Sequence, residues 1–259
     1  MKKLRTDWKK YIEGIRQREI DLIIPYIQNK KYKVGIEIGS GNGFQSRILS
    51  KHINLLYCTE LNPERLEKKN VKNIKYIIAD AEIIDSYFDN ESCDFIYSSN
   101  VLEHLPNPKR AIIGIKTILK TNGLTIHIIP SPFNVITRLF LWYPNFLLSI
   151  VEYLFANKKE IKTQVIVGNN IKSKKSKKSK WRKIILPQSH GVSSNIFTEI
   201  FDMNKQRWIS YFEKGGFSIV DVIKGPVNSG YGFGFKNISF LLEKLGLTSE
   251  YIYIMKKNE

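Results

Sequence analysis

The ten residues from Val34 to Gly43, V-G-I-E-I-G-S-G-N-G, have the composition of a nucleotide-binding turn. A run rich in β-branched residues leads into glycines at alternate positions, and a polar, helix-compatible segment follows from Phe44 to Ser50. Glycine lets the backbone turn sharply and has no Cβ to exclude a bulky ligand, while the first N–H groups of a helix lack partners within it. The stretch therefore predicts a strand, a tight loop and a helix that hold a nucleotide-like ligand.

The spacing of the glycines and of three carboxylates narrows the choice of ligand. In the dinucleotide pattern G-x-G-x-x-G the third glycine would stand at Phe44, but here it comes one residue earlier, which disfavours NAD. Glu37 precedes the first glycine by two residues, Glu60 ends the next apolar run, and Asp80 ends the one after that. Three carboxylates at successive strand ends suit an adenosine with a positively charged amino-acid tail, whereas they would repel a pyrophosphate.

The order of these segments resembles the class I S-adenosylmethionine-dependent methyltransferases. Residues 93–108, C-D-F-I-Y-S-S-N-V-L-E-H-L-P-N-P, resemble the fourth strand and the following loop of the ubiquinone/menaquinone-type (type 11) branch. Residues 118–130, I-L-K-T-N-G-L-T-I-H-I-I-P, resemble its helix end, turn and fifth strand, with Asn-Gly where Pro-Gly is common. The resemblance covers residues 33–130 and implies a Rossmann-like α/β fold with S-adenosylmethionine as the cofactor.

The resemblance also implies which residues bind the amino-acid end of this cofactor. Gly39, Ser40 and Gly41 match the positions that offer backbone room and N–H groups. Glu37 matches the position that meets the amino-acid end, and Asn100 the position that contributes at the methionine end.

The nucleoside half of the cofactor is assigned in the same way. Glu60 matches the position that holds the ribose, and Leu61 the position that packs on the adenine. Asp80 and Ala81 match the positions that hydrogen-bond the adenine edge. No metal is implied.

Methyl transfer to a hydroxyl also requires a base, because a sugar or phenolic hydroxyl is a poor nucleophile until it begins to lose its proton. Histidine is the natural choice near neutral pH. Among the four histidines, we expect surface or packing roles for His52 and His127. The resemblance places His104 at the rim of the active site, and P-x-S-H-G around His190 resembles methyltransferases encoded with surface-polysaccharide genes. A structural role stays open for both, and Glu103 could serve instead if burial raised its pKa substantially.

The elements that position these residues alternate between strand and helix. Five alternations predict a mainly parallel sheet, and the pattern resumes after residue 204 with enough elements to complete a doubly wound sheet of seven strands. The predicted strands are 34–38, 54–59, 74–79, 95–98, 124–129, 217–223 and 251–255, with helices near 8–28, 44–50, 63–70, 108–120 and 205–214.

Length and composition predict a single domain over residues 1–259, which the resemblance identifies as a methyltransferase domain. With 42% hydrophobic residues the chain can bury one α/β core and an appendage. The basic start leads into an amphipathic segment and not an apolar run, so a cytoplasmic location is expected. Cys58 and Cys93 fall on strands that the first strand separates, so no disulfide is expected. The predicted parts are a helical cap (1–33), a cofactor-binding half (34–130), an insertion or lid (131–204) and a C-terminal part of the sheet (205–259).

The insertion between strands five and six begins with the most apolar stretch of the chain, residues 132–156. Pro144 and neighbouring polar residues predict two short helices there, too short to span a membrane. One interpretation is a helical lid over the cofactor. The other is a helical hairpin whose Trp142, Tyr143 and Phe146 enter a membrane surface.

A strongly basic loop follows at residues 158–183, where eleven Lys and Arg face one acidic residue and supply +10 of the formal net charge of +17. A solvated loop, a clamp for anionic lipid or a lipid-linked phosphate, and a nucleic-acid contact are the three interpretations. Lysine predominates over arginine, which disfavours sequence-specific recognition of nucleic acid.

These features predict an S-adenosylmethionine-dependent O-methyltransferase. The resemblance of the C-terminal half, together with the apolar insertion and the basic loop, suggests a saccharide acceptor, carried on a lipid phosphate at the inner face of a membrane. Two alternatives stay open, namely an RNA methyltransferase that uses the basic loop and a cofactor-binding protein without catalysis.

Overall fold

The computed structural model describes residues 7–66, 70–155, 193, 195–233 and 235–258. A seven-stranded sheet in the order β3-β2-β1-β4-β5-β7-β6 runs through its centre. Every strand is parallel to β1 except β7, which pairs antiparallel with both β5 and β6. The predicted Rossmann-like α/β fold is therefore confirmed. The strands are β1 (Tyr32–Ile38), β2 (Ile53–Glu60), β3 (Ile74–Ile78), β4 (Cys93–Ser99), β5 (Leu119–Pro130), β6 (Phe217–Lys224) and β7 (Glu250–Lys257).

Helices cover both faces of this sheet. On one face α1 and α2 bury Ile20, Ile23 and Leu49 against the strands, and on the other α3 and α6 bury Ile115 and Phe212. A sheet buried on both faces requires nearly continuous apolar strands, which is how β1, β4 and β5 read in the sequence. The helices are α1 (Trp8–Ile27), α2 (Phe44–Leu49), α3 (Pro108–Ile118), α4 (Pro132–Phe155), α5 (Ile196–Asp202), α6 (Lys205–Lys214) and α7 (Lys236–Lys244).

The predicted helix at 63–70 is not found in the part of that range that the structure describes. Pro63–Arg65 form a single 3₁₀ turn, and Leu66 then has an extended backbone. The side chain of Asn62 caps this turn by accepting a hydrogen bond from the N–H of Glu64 at 2.9 Å. A cap and a proline start a helix efficiently, but they do not extend it beyond one turn.

The predicted break of the insertion helix at Pro144 was wrong. α4 runs without interruption for 24 residues with Pro144 inside it. Proline removes one hydrogen bond from a helix and bends it, yet the turns on either side still form. No helix in the described ranges meets the length and hydropathy needed to cross a membrane.

The continuity of α4 leads to a stability prediction. Pro144 is exposed, so Pro144→Ala restores a helix hydrogen bond without losing buried contacts. We expect the free energy of unfolding to rise by about 1–3 kcal/mol, measured by urea titration with circular dichroism. Pro132→Ala is the matched control, since proline at the first helical position needs no N–H partner and its replacement should change little. A destabilised Pro144→Ala protein would argue for two separate helices.

Candidate active site

The glycine loop between β1 and α2 has the backbone that its sequence predicts. Gly39, Gly41 and Gly43 all have positive φ, at 71°, 51° and 67°. A Cβ on Gly39 would lie 2.4 Å from Cγ2 of Val101, whereas a Cβ on Gly41 would meet nothing within 4 Å. Gly39 is therefore required for close packing against the loop after β4, and Gly41 leaves open space above the sheet.

The end of β2 is joined to this loop by hydrogen bonds. The N–H of Ser40 donates to the carbonyl oxygen of Thr59 at 2.9 Å, and the N–H of Gly41 donates to Oε2 of Glu60 at 3.1 Å. The other carboxylate oxygen of Glu60 accepts from the N–H of Asn62 at 3.3 Å. The structure thus brings the predicted ribose ligand Glu60 directly against the predicted loop.

The remaining nucleoside-binding residues follow at the same edge of the sheet. Leu61, next to Glu60, is 65% exposed and can cover a ligand ring. Asp80 follows β3 and caps the 3₁₀ turn Ala81–Ser86 by accepting from the N–H of Glu82 at 2.9 Å, and Ala81 is buried behind it. Their contacts with a cofactor stay predictions.

Glu37 lies deeper than the other carboxylates. It is only 3% exposed, and its Oε2 is 4.0 Å from Sγ of Cys58 on the neighbouring strand. Burial raises the pKa of Glu37 to about 7, against the opposing effects of Ser46 and two arginines. The side chain is therefore sensitive to the charge of any ligand bound above it, and its role at the amino-acid end stays a prediction.

The chain turns sharply where β4 ends. Asn100 has a φ of 54°, a left-handed conformation that asparagine tolerates better than most residues. Its N–H donates to the carbonyl oxygen of Ile128 at 2.9 Å, and its side-chain amide donates to Oγ of Ser99 at 3.0 Å. This turn directs the next residues, which include Glu103 and His104, across the end of the sheet.

His104 lies on this loop with its side chain 40% exposed, and its place at the rim of an active site stays a prediction. Burial lowers the pKa of His104, and the positive charges of Arg65 and Arg138 lower it further. The imidazole is therefore neutral at pH 7 and able to accept a proton. Its Nε2 is 3.7 Å from Oε1 of Glu103.

Glu103 is buried, which is the condition under which its carboxylate could serve as a base. Its side chain is fully buried, and neither carboxylate oxygen has a hydrogen-bond partner among the residues described. Burial raises the pKa of Glu103 to about 8, opposed by Arg16 and reinforced by Glu199. A carboxyl with this pKa can exchange a proton near neutral pH.

Of the other histidines discussed above, His127 has a packing role and His190 is not described by the structure. His127 is buried in β5, with Ser98 Oγ 2.7 Å from its Nδ1 and Thr125 Oγ1 2.9 Å from its Nε2, and it stacks on Phe212. Burial lowers the pKa of His127 to about 3, so its role is packing. His190 and the basic loop at 158–183 lie outside the described residues.

A buried polar cluster lies beside the end of β4 and was not predicted from the sequence. Nη1 of Arg16 donates to both carboxylate oxygens of Glu19 at 2.8 Å and to Oγ of Ser99. Gln45 Nε2 donates to Glu19 Oε2 at 2.9 Å and to the hydroxyl of Tyr97 at 2.7 Å. Helix α1 therefore contributes charged groups to the end of the sheet where the candidate site lies.

A signal for this cluster was present in the sequence. Glu19 lies four residues after Ile15 and four before Ile23, so it falls on the apolar face of α1. A carboxylate on that face must be buried and needs a partner, which Arg16 supplies at a spacing of three residues. Within the described ranges, no group of three or more His, Cys, Asp or Glu is placed to hold a metal ion.

Comparison with known proteins agrees with this geometry. A family model described as a methyltransferase domain matches residues 36–127, from the end of β1 into β5. The match spans the glycine loop, both predicted nucleoside-binding strand ends and the loop with Glu103 and His104.

Two curated relatives each match less than half of the chain. An uncharacterized protein of Methanocaldococcus jannaschii is 32% identical over 119 residues, which are 46% of this chain and 54% of that protein. A ubiquinone biosynthesis O-methyltransferase of Coxiella burnetii is 28% identical over 133 residues, 46% of this chain and 55% of its own length. The chain thus spans about half the length of the curated relatives it matches.

A solved structure extends the likeness of fold to most of the chain. The N-methyltransferase NodS of Bradyrhizobium japonicum, in complex with S-adenosyl-L-homocysteine, is 13% identical with a TM-score of 0.53, covering 94% of this chain and 87% of NodS. At this identity the neighbour shows a likeness of fold alone. The identity is too low to carry over the acceptor.

The glycine loop provides a paired prediction. Gly39→Ala combines a left-handed alanine with a clash against Val101, so we expect it to lower the free energy of unfolding by about 2–4 kcal/mol in urea titration. Gly41→Ala is the control for the backbone alone and should lose about 1–2 kcal/mol. Its Cβ enters the open space, so it should weaken binding of S-adenosylhomocysteine in calorimetry. Equal destabilisation by both changes would show that Val101 does not restrict residue 39.

Proposed function

We propose that this protein transfers the methyl group of S-adenosylmethionine to a hydroxyl of a saccharide, carried on a lipid phosphate at the inner face of a membrane. The observation that carries the proposal is the pair formed by Glu103 and His104 at the end of β4. A hydroxyl must lose a proton as it is methylated, and this pair supplies two groups able to accept it.

The proposed reaction requires only one displacement. The acceptor oxygen forms a bond to the methyl carbon while the bond from that carbon to the sulfonium sulfur breaks, which leaves neutral S-adenosylhomocysteine. The proton of the hydroxyl passes to Glu103 or to His104. The chain's own residues hold the reactants in line, with the glycine loop and Glu60 on the cofactor side and the loop after Asn100 on the acceptor side.

The charges around His104 favour an acceptor that carries a negative group. Arg65 and Arg138 both act on the imidazole. Arg138 is held on α4 by Asn134, whose Oδ1 accepts from its Nε at 3.1 Å, and by an ion pair with Glu199 on α5. Guanidinium groups in fixed positions bind phosphate well. His190, which resembles a residue of polysaccharide-associated methyltransferases, stays a candidate acceptor contact.

Peripheral membrane contact is supported by the outer surfaces of α4 and α5. Two phenylalanines there, Phe140 and Phe201, are each 72% exposed, and several other large apolar side chains are exposed beside them. In the sequence the basic segment 158–183 connects these two helices. Apolar helix faces and adjacent lysines together bind anionic bilayers. The further exposed residues are Tyr143, Phe146, Leu147 and Phe197.

The acceptor class is tested by incubating the protein with methyl-labelled cofactor and a fractionated lysate of the source organism. We expect the label in the lipid fraction, in material that loses its saccharide on mild acid hydrolysis. Label in RNA, retained in a salt-dependent way, would support the alternative of an RNA methyltransferase. Label in neither, with the cofactor still bound, would support a binding protein without catalysis.

Glu103→Gln tests the proton acceptor. We expect methyl transfer to the labelled fraction to fall by roughly 10²–10⁴-fold, and the rise in wild-type rate up to about pH 8 to disappear. Asp94→Asn is the control and should keep the pH profile. The carboxylate of Asp94 lies at the opposite end of the strands, where it accepts hydrogen bonds from backbone N–H groups. A Glu103→Gln enzyme with the wild-type profile would leave His104 as the base.

The same variant has a stability signature that needs no acceptor. The pKa of folded Glu103 is about 8 and its ordinary value is 4.5, so the folded state holds this proton over a range where the unfolded state has lost it. The stabilisation is complete below pH 4.5 and is lost as the pH rises towards 8. Glu103→Gln should therefore unfold with a free energy near that of wild type at pH 4.5 and clearly above it at pH 9.

Membrane contact is tested with vesicles. Replacing Phe140 and Phe201 together by serine should weaken binding to phosphatidylglycerol vesicles by at least about tenfold in a sedimentation assay. The control pair, Phe235→Ser with Leu245→Ser, removes exposed apolar side chains at the two ends of α7. If the control pair weakens binding equally, the surface of α4 and α5 is not the specific contact.

A further inference from the structure

Helix α1 lies outside the segment that the methyltransferase family model matches, yet it reaches the site. We propose that Arg16 on α1 binds the carboxylate at the amino-acid end of the cofactor and thereby selects ligands that carry this group. The inference rests on the proposed function, because it concerns the same cofactor.

The position of Arg16 is fixed from behind. Its Nη1 donates to both oxygens of Glu19, and Oε2 of Glu19 also accepts from Gln45 Nε2 and Ser99 Oγ, each at 2.9 Å. Glu19 is fully buried, so these hydrogen bonds form away from solvent. An arginine held in this way keeps its orientation before a ligand arrives, which reduces the entropy lost on binding.

The remaining donors of Arg16 are available. Nη1 makes all the hydrogen bonds that this guanidinium donates to the described residues, which leaves the N–H groups of Nη2 and Nε. The side chain is 24% exposed, in contrast to its fully buried partner Glu19. Because a guanidinium has five N–H donors, it can bind a second carboxylate while it keeps the first.

Arg16 lies beside the end of the cofactor that carries a carboxylate. It donates to Ser99, the residue before the left-handed turn at Asn100, and the loop that follows contacts Gly39 through Val101. The glycine loop and the end of β4 are the two segments that frame the amino-acid end in the assignment above. The adenine-binding positions Asp80 and Ala81 follow β3, which lies on the far side of β1 and β2.

The charges around Arg16 allow a further anion to bind there. Glu250 at the start of β7 is buried near Arg16 and Glu19, and burial together with the charge of Glu19 keeps the pKa of Glu250 well above its usual range. This shift favours the neutral form of Glu250 and so weakens its competition as a second anion for Arg16. A ligand carboxylate can take that place.

The test compares two ligands in calorimetry. S-adenosylhomocysteine carries the carboxylate, and 5′-methylthioadenosine has the same nucleoside and sulfur without the amino-acid group. Arg16→Leu should weaken S-adenosylhomocysteine roughly ten- to hundredfold and change 5′-methylthioadenosine less than about threefold. Arg18→Leu is the matched control two residues away, since Arg18 pairs with Glu243 and lies over Phe240, and it should change neither affinity.

A double variant, Arg16→Met with Glu19→Gln, avoids leaving a buried carboxylate unpaired and repeats the test if Arg16→Leu folds poorly. Equal weakening of both ligands, or no change in either, would overturn the inference while the cofactor assignment stands. If the wild-type protein binds neither ligand, the proposed function itself fails and the inference fails with it.

Discussion

The site depends on the close approach between the glycine loop and the loop after β4. Gly39 lies against Val101 at a distance that no side chain could occupy, and hydrogen bonds from Ser40 and Gly41 join the same loop to the end of β2. Three strand ends are therefore held together before any ligand binds. This contact brings the predicted nucleoside-binding positions next to the loop of Glu103 and His104, and the proposed methyl transfer requires the two to lie close together.

Buried carboxyl groups surround this junction in excess of buried cations. Burial raises the pKa of Glu37, Glu103 and Glu250, while Arg16 is committed chiefly to Glu19. An uncompensated carboxylate in the interior is unfavourable, so these groups remain partly protonated without a ligand. A sulfonium brought among them would be attracted, and its departure as a neutral thioether would weaken that attraction.

The sequence predicted the sheet well because its central strands are buried on both faces, and apolar runs such as those of β1 and β4 favour a strand assignment. The predicted break at Pro144 was wrong because proline is known to remove a helix hydrogen bond, and this loss does not decide whether the turns on either side of it still form. The pKa of Glu103 depends on its burial and on the charges of Arg16 and Glu199, which are distant in sequence. Arg16 was missed although Glu19 on an apolar helix face marked its position.

The antiparallel strand β7 lies between β5 and β6, and its position has a consequence for the order of assembly. β6 comes earlier in the chain than β7, and among the described strands it pairs with β7 alone. During synthesis on the ribosome, both edges of β6 stay unpaired until β7 has emerged. Closure of the nascent sheet on that side is therefore a late event, and a chaperone that shields β6 during the delay would raise the yield of folded protein.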